Sequence, residues 1–183
     1  MVKPVVEENH AYHIRRAIPA DAAALAELAA RTYADTFGAE CRPADLARFL
    51  AATYNAVVQG AEIADPRQQT WVAVANESLI AFAQLREGKL SPCVQTPRPL
   101  EIRRFYVAHA WHGRGVAQAL MRRLLQAAWE HGAESLWLGV YERNYRAVAF
   151  YRRHGFVDVG SQDFLFNEEV QTDRVMILHP LPR

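Results

Sequence analysis

A strand-like run that enters a glycine-bearing turn and then a long helix limits the fold of this chain more than any other feature. Residues 100–108 read LEIRRFYVA, and Gly113 and Gly115 follow before an apolar-periodic segment that begins at Val116. A helix N-terminus favours an anion, because its N–H groups are unpaired, and glycine lets the backbone approach a phosphate closely. The turn is neither the dinucleotide pattern G-x-G-x-x-G nor a P-loop. A tight strand-to-helix turn and an anion site are equally good interpretations of these residues alone.

The composition indicates one globular domain without a nucleic-acid or membrane partner. A chain of 183 residues with 51% hydrophobic and 22% charged residues can bury one full core. A formal net charge of +1 lacks the basic excess of a nucleic-acid-binding protein. No apolar run reaches the roughly 20 residues of a membrane span, and residues 1–9 are polar and acidic, unlike a signal peptide. We therefore expect a cytoplasmic protein.

Turn residues and apolar periodicity predict a single α/β domain with a mixed sheet over residues 12–183, after an N-terminal extension, residues 1–11. The first half is expected to contain a strand at 12–18, a helix from Asp21 to Gly38, and a helix from Pro43 with its exit at Gly60 to Pro66. Three strands follow, at 71–74, 79–85 and 100–108. The second half is expected to contain a helix from Val116 to Gly132, a strand at 136–140, a helix from Asn144 to Gly155, and strands at 156–159 and 174–178. Asn76 favours a hairpin between the second and third strands. The segment from Gly88 to Pro99 holds three prolines and is predicted as a surface loop.

Three side chains have both a structural and a chemical interpretation. Asn144 and Tyr151 lie seven residues apart, as a helix cap and a core aromatic or as parts of a site. Glu101 lies inside a strand-like run, either facing solvent or at the floor of a cleft. The seven histidines and two cysteines show no ligand spacing, so we expect no metal.

Two runs of the chain resemble the core of the GCN5-related N-acetyltransferase superfamily. They are RRFYVAHAWHGRGVAQALM, residues 103–121, and LWLGVYERNYRAVAFYRRHGF, residues 136–156. Gly115 and Ala117 fill the last two fixed positions of the superfamily turn Gln/Arg-x-x-Gly-x-Gly/Ala, and His112 stands where Gln or Arg is usual. The runs WLGV at residue 137, EEVQTDRVM at residue 168 and TYADTFG at residue 32 are similar to small bacterial polyamine N-acetyltransferases.

The resemblance implies a mostly antiparallel sheet flanked by helices, in which two parallel strands splay near Val107 and Val140. It implies acetyl-CoA as co-substrate in that wedge, with contacts from Phe105, Val107, His112, Gly113, Arg114, Gly115, Ala117, Gln118, Asn144 and Arg152 or Arg153. It also implies Tyr151 as the acid that protonates the departing thiolate. Glu101, directly or through water, is our candidate base, because a primary amine with a pKa of about 10.4 costs about 4–5 kcal/mol to present uncharged at neutral pH.

The expected acceptor is a primary amine of a small molecule, with a polyamine favoured. Carboxylates that could bind a polycation, or could be ordinary surface acids, are Asp35, Glu40, Asp45, Glu168, Glu169 and Asp173. The alternatives are an amine of a protein, an amino acid or an antibiotic, and a regulatory module that binds acyl-CoA without turnover. A homodimer is compatible with the sequence.

Overall fold

The computed structural model describes residues 12–88, 90–166 and 169–182. The strands are β1 (His13–Arg16), β2 (Gln68–Ala75), β3 (Ser78–Arg86), β4 (Pro99–Val107), β5 (Ser135–Tyr141), β6 (Val157–Phe166) and β7 (Glu169–Leu178). The α-helices are α1 (Ala22–Phe37), α2 (Pro43–Thr53), α3 (Ala56–Ala64), α4 (Val116–Glu130) and α5 (Tyr145–Arg153). The expected N-terminal extension, residues 1–11, and Glu168 lie outside the described residues.

The seven strands form one sheet in the order β1-β2-β3-β4-β5-β7-β6. Neighbouring strands are antiparallel except β4 and β5, which are parallel. A parallel pair needs a crossover connection, and α4 supplies it. The predicted fold, a single mixed α/β domain with a mostly antiparallel sheet and one parallel pair, is confirmed.

The parallel pair separates soon after it forms. β4 and β5 pair only over residues 99–101 and 135–137, and β5 continues along β7 to its end. A register shift between Gln84 and Leu85 of β3 leaves Arg103 as an extra residue in β4. Such a bulge bends a strand and increases its twist. A wedge therefore opens between the carboxyl halves of β4 and β5.

Helices cover the sheet on both faces. α4 and α5 pack on one face through buried residues at helical spacing, which are Val116, Leu120, Leu124, Val148 and Tyr151. α1 packs on the other face against β2 and β3, and the buried residues there include Leu25, Leu28, Val72 and Phe82. Val94, from the segment between β3 and β4, covers Trp137, Val175 and Ile177. None of the described helices combines the length and apolar character needed to cross a membrane.

The prediction of one helix from Pro43 to the Gly60–Pro66 exit is wrong, because the segment forms two helices. Asn55 begins the second of them by accepting a hydrogen bond from Val58 N at 2.9 Å, and Gly60 lies inside it. The last two strands are also longer than predicted. Residues 160–173 are mostly polar, and the two strands pair with each other at the sheet edge, so their apolar pattern is weak.

Asp21 occupies the predicted N-cap position of α1, but its carboxylate makes no cap hydrogen bond to that helix. It binds Arg15 at 2.7 and 2.9 Å and accepts from Ile18 N at 2.8 Å. The side chain therefore ties the end of β1 to the helix start.

Candidate active site

The wedge between β4 and β5 opens into a cavity of about 270 Å³ bounded by the turn before α4 and by α5. All but two of the predicted coenzyme residues line it, namely Phe105, Val107, His112, Gly113, Gly115, Ala117, Gln118 and Asn144. Tyr151 lines it as well. Residues that lie up to 46 positions apart in the sequence thus meet around one space, which we call the coenzyme cavity.

The turn before α4 has the backbone geometry of an anion site. Gly113 has φ +74° and Gly115 has φ +80°, a left-handed conformation that favours glycine. No side chain among the described residues caps α4, whose first helical residue is Val116. Its first N–H groups are therefore free for a ligand in the cavity, where the helix dipole favours negative charge.

The arginines at this cavity differ from those predicted. Arg114 lies outside the lining, with its guanidinium 5.4 Å from the ring centroid of Trp111. Arg152 is exposed and does not line the cavity, whereas its neighbour Arg153 does. Arg146, which sequence reasoning missed, also lines it. Its position two residues after the Asn144 cap, in the first turn of α5, is the signal that could have identified it.

His112 connects β4 to α5 through both of its ring nitrogens. Nε2 lies 2.9 Å from the carbonyl oxygen of Val107, so it donates, and Nδ1 lies 2.7 Å from Nη1 of Arg146, so it accepts. Burial lowers the pKa of His112; the Val107 carbonyl opposes this effect, and the charge of Arg146 adds to it. The imidazole is therefore neutral at neutral pH, in the tautomer that binds both partners.

Tyr151 is 8% exposed and lies between Phe105 of β4 and Phe156, which immediately precedes β6. Its ring centroid is 6.3 Å from that of Phe105 and 5.6 Å from that of Phe156. Burial raises the pKa of Tyr151 well above its usual value, so the hydroxyl keeps its proton at neutral pH. It is both the core aromatic and a lining residue, and Asn144 is both the α5 cap, accepting from Ala147 N at 3.1 Å, and a lining residue.

A second cavity, of about 160 Å³, adjoins the first on the other side of the wedge. The two share Phe105, Tyr106, Asn144, Ala147 and Tyr151. The bulged part of β4, residues 102–104, also lines this cavity. The rest of the wall comes from Tyr33, Phe37, Gly139, Val140, Tyr141, Phe164, Gln171 and Asp173. We call this space the acceptor cavity.

Asp173 of β7 is the unusual group of the acceptor cavity. No described residue forms a hydrogen bond or ion pair with its carboxylate, and burial raises its pKa to about 6. A methyl group placed on Gly139 would lie 3.1 Å from Oδ2 of Asp173 and 2.9 Å from Nε2 of Gln162. The missing side chain at Gly139 therefore makes room for the carboxylate.

Glu101 is not brought together with Tyr151. It is 8% exposed, and its Oε2 lies 2.6 Å from Nε and 2.5 Å from Nη2 of Arg86. It stands in the paired part of β4, four residues before Phe105, which is about 13 Å along a strand. It lines neither cavity. This position gives no support to the expected role of base.

Comparison with known proteins decides the family. Residues 23–156 match the model of the Acetyltransferase (GNAT) family. The chain belongs to this family. It is therefore an enzyme, an acetyl-CoA-dependent N-acetyltransferase. An uncharacterized N-acetyltransferase of Mycobacterium bovis is 31% identical over 157 residues, which are 86% of this chain and 96% of that protein.

Two further known proteins are similar to this acetyltransferase. The crystal structure of PaiA N-acetyltransferase from Thermoplasma acidophilum in complex with coenzyme A superposes with a TM-score of 0.76 at 18% identity, over 92% of this chain and 98% of that one. Streptothricin acetyltransferase of Streptomyces lavendulae is 35% identical over 108 residues, 58% of this chain and 54% of that protein. These relatives do not support the expected resemblance to polyamine N-acetyltransferases.

Two of the six carboxylates expected to bind a polyamine are engaged by other residues of this acetyltransferase. Glu40 accepts from the Tyr141 hydroxyl at 3.0 Å, and Asp45 pairs with two arginines of its own segment. Asp35 lies beside His112 and Arg146 on the coenzyme side. Glu168, like the side chain of Glu169, lies outside what the structure describes. Among the described residues, Asp173 is the one carboxylate that lines the acceptor cavity, and no cluster could hold a metal ion.

Proposed function

We propose that this acetyltransferase moves the acetyl group of acetyl-CoA to a primary amine of a small molecule by direct attack in a ternary complex. The observation that carries the proposal is the junction of two cavities at Phe105, Asn144 and Tyr151. One cavity has an uncapped helix N-terminus, and the other has an unpaired carboxylate. Such a junction lets a thioester and an amine meet without a covalent acyl-enzyme.

The residues of the coenzyme cavity fit the chemistry of coenzyme A. The diphosphate would lie at the backbone N–H groups that begin α4, beside the guanidinium groups of Arg146 and Arg153. The pantetheine arm carries two amides and would bond the edge of β4 from Phe105 to Val107, where β5 does not pair with it. Asn144 lines the same cavity and would contact this arm.

Catalysis would use the junction as follows. The neutral amine attacks the thioester carbonyl, and an unpaired backbone N–H of the β4 edge near Val107 stabilises the oxyanion. As the carbon–sulfur bond breaks, Tyr151 donates its hydroxyl proton to sulfur. The high pKa of Tyr151 keeps that proton available across the neutral range.

Two acceptor classes follow from different observations. Similarity to streptothricin acetyltransferase favours an antibiotic amine as a second candidate. The sequence favours a polyamine, but the acceptor cavity offers one described carboxylate, Asp173, beside Arg103 and Arg104. That charge balance supports an acceptor that presents a single ammonium group better than it supports a polycation.

The test is coenzyme A release, followed with a thiol reagent, over a panel of amines. The panel contains a simple monoamine, spermidine, an amino acid, a peptide with a free N-terminus and streptothricin. We expect turnover with at least one small amine and binding of acetyl-CoA by calorimetry. Peptide turnover alone would replace the small-molecule acceptor, and coenzyme binding without turnover of any amine would indicate a regulatory module.

A further inference from the structure

We propose that Asp173, rather than Glu101, binds the ammonium group of the acceptor and takes its proton before the amine attacks the thioester. The inference rests on the proposed function, because it concerns the amine of the same reaction. It identifies a catalytic base that sequence reasoning did not select. It also describes the acceptor as a molecule that is recognised through one ammonium group.

The strand register brings Asp173 to the wedge. It pairs with Tyr141 of β5 and with Gln162 of β6, so its side chain shares a face of the sheet with that of Tyr141 and with the bare Cα of Gly139. Its Oδ2 lies 3.1 Å from where a Gly139 methyl would stand. The carboxylate therefore lies over the β5 backbone within the acceptor cavity that it helps to line.

Asp173 is also an acidic group without a hydrogen-bond or ion-pair partner among the described residues, and it is the one described carboxylate of the acceptor cavity. Glu101 binds Arg86, Glu40 accepts from Tyr141, and Glu62 binds the guanidinium groups of two β4 arginines. Asp173 is only partly buried, yet its carboxylate receives no hydrogen bond from a described residue, so a ligand in the cavity could supply the missing donor. An ammonium group supplies three donors and a compensating charge.

The other walls of the acceptor cavity are aromatic and can pack against the hydrocarbon part of the amine. Tyr33 and Phe37 come from α1, Tyr141 from β5 and Phe164 from β6. Aromatic rings bind hydrocarbon and also attract a nearby cation. The geometry thus matches a primary ammonium group on an apolar carbon chain or ring.

No other group that faces Asp173 in the described cavity can take a proton near neutral pH. Tyr33 on α1, Tyr106 on β4 and Tyr141 on β5 all have a pKa above the usual tyrosine value, with burial as the main cause. Arg103 and Arg104 on β4 both bind the Glu62 carboxylate, and the amides of Gln162 and Gln171 carry no titratable proton. Burial raises the pKa of Asp173 to about 6, closer to that of an amine than an ordinary aspartate.

The proton balance closes with these groups. One proton passes from the ammonium nitrogen to Asp173 and then to solvent, which leaves the neutral amine. The nitrogen lone pair forms the carbon–nitrogen bond, and the carbon–sulfur bond breaks as Tyr151 protonates the thiolate. The second nitrogen proton returns to the Tyr151 oxygen. The products are the acetamide, the free thiol of coenzyme A and one proton in solution.

The decisive variant is Asp173→Asn, measured with the best amine of the panel. We expect kcat/KM to fall about 10²- to 10⁴-fold, the typical contribution of a general base, while the Kd for coenzyme A changes less than about twofold. The wild-type acid limb near pH 6 should disappear. The residual rate should rise about tenfold per pH unit up to the pKa of the amine, because the variant can use only the free amine from solution.

Two further variants separate catalysis from structure. Asp173→Glu keeps a carboxylate and should recover part of the lost rate together with an acid limb. Asp163→Asn removes an exposed carboxylate of neighbouring β6 and should leave kcat/KM unchanged. An Asp173→Asn enzyme that keeps the wild-type rate and acid limb would overturn the assignment and leave the proposed function standing. A wild-type enzyme that acetylates no amine would refute the proposed function itself.

Discussion

Nδ1 of His112 lies 2.7 Å from Nη1 of Arg146, which links the turn before α4 to the first turn of α5. His112 stands where the superfamily usually has Gln or Arg, and Arg146 brings a guanidinium to the same edge of the coenzyme cavity from another helix. A neutral imidazole that accepts from a guanidinium holds it in place without competing for anionic ligands. His112, the residue that departs from the superfamily motif, thus positions Arg146, which lies outside the motif.

Replacing Arg146 with Ala should weaken coenzyme A binding about 10- to 100-fold, the worth of one or two charge-assisted hydrogen bonds. Calorimetry gives the Kd, and acetyl-pantetheine, which lacks the diphosphate, should show little change. The matched control is Arg152→Ala, because Arg152 lies on the same helix outside the cavity. Equal losses from the two substitutions would mean that only the overall charge of α5 matters.

Replacing Tyr151 with Phe should lower kcat about 10²- to 10⁴-fold with an unchanged Kd for coenzyme A. The ring and its packing against Phe105 and Phe156 remain, and only the proton donor is lost. A steady-state activity assay measures kcat, and calorimetry measures the Kd for coenzyme A. An unchanged kcat would remove Tyr151 from the mechanism.

Replacing Glu101 with Gln should lower the stability of the protein but change its catalytic rate little. Arg86 would keep its charge in a part-buried position without a carboxylate, so we expect the free energy of unfolding to fall by about 1–3 kcal/mol. Urea unfolding measures this loss, and kcat should change less than about fivefold. A fall in kcat above a hundredfold in a stable variant would return Glu101 to the role of base.

Replacing Gly139 with Ala should affect the acceptor and spare the coenzyme. The added methyl would lie 3.1 Å from Oδ2 of Asp173 and 2.9 Å from Nε2 of Gln162, so both side chains must shift. We expect kcat/KM for the amine to fall about tenfold, as misplacement of a positioned group can cost more than that. Calorimetry with coenzyme A supplies the contrast, since Gly139 does not line its cavity. A weaker coenzyme Kd would mean that the substitution disturbs β5 as a whole.

Replacing Asp173 with Asn should stabilise the folded protein at pH 7 and leave its stability unchanged at pH 4. The pKa of Asp173 is about 6 in the folded state, above its ordinary value of 3.8, so the folded state binds this proton more tightly than the unfolded state. Its contribution to stability is therefore full below about pH 4 and is lost as the pH rises through 6. The variant does not suffer this loss and should gain about 1–3 kcal/mol at neutral pH. Urea unfolding at both pH values measures the difference, and a variant less stable than wild type at pH 7 would contradict it.

Local signals account for what the sequence predicted well. Gly113 and Gly115 provide the positive φ angles of the turn, and Asn144 caps the helix that begins at the next residue. Both features depend on residues close together in the sequence, so a short pattern predicts them. The resemblance joined these pieces into a coenzyme site. The arginines were harder, because Arg152 and Arg153 are adjacent and only the rotation of α5 decides which one lines the cavity.

The acceptor half depends on contacts that no short pattern encodes. The bulge at Arg103 interrupts the alternation of β4, so the direction of the Glu101 side chain could not be predicted from it, and its partner Arg86 lies fifteen residues away. Asp173 lines the acceptor cavity only because β7 lies between β5 and β6 and because Gly139 leaves room above the strand. The sequence had included Asp173 among six surface carboxylates without a means of choosing it.

The short pairing of β4 with β5 has a consequence for how selective the coenzyme cavity can be. Beyond Glu101, β4 presents backbone groups that β5 leaves unpaired, in the middle of a seven-stranded sheet rather than at its border. Open strand edges invite pairing with other polypeptides, which is the origin of much aggregation. Here residues of α4 and α5 line the opening, and the Phe105 and Tyr151 ring centroids lie 6.3 Å apart in its wall. A ligand that bonds this edge of β4 must therefore enter the coenzyme cavity of about 270 Å³, which selects against a long polypeptide strand.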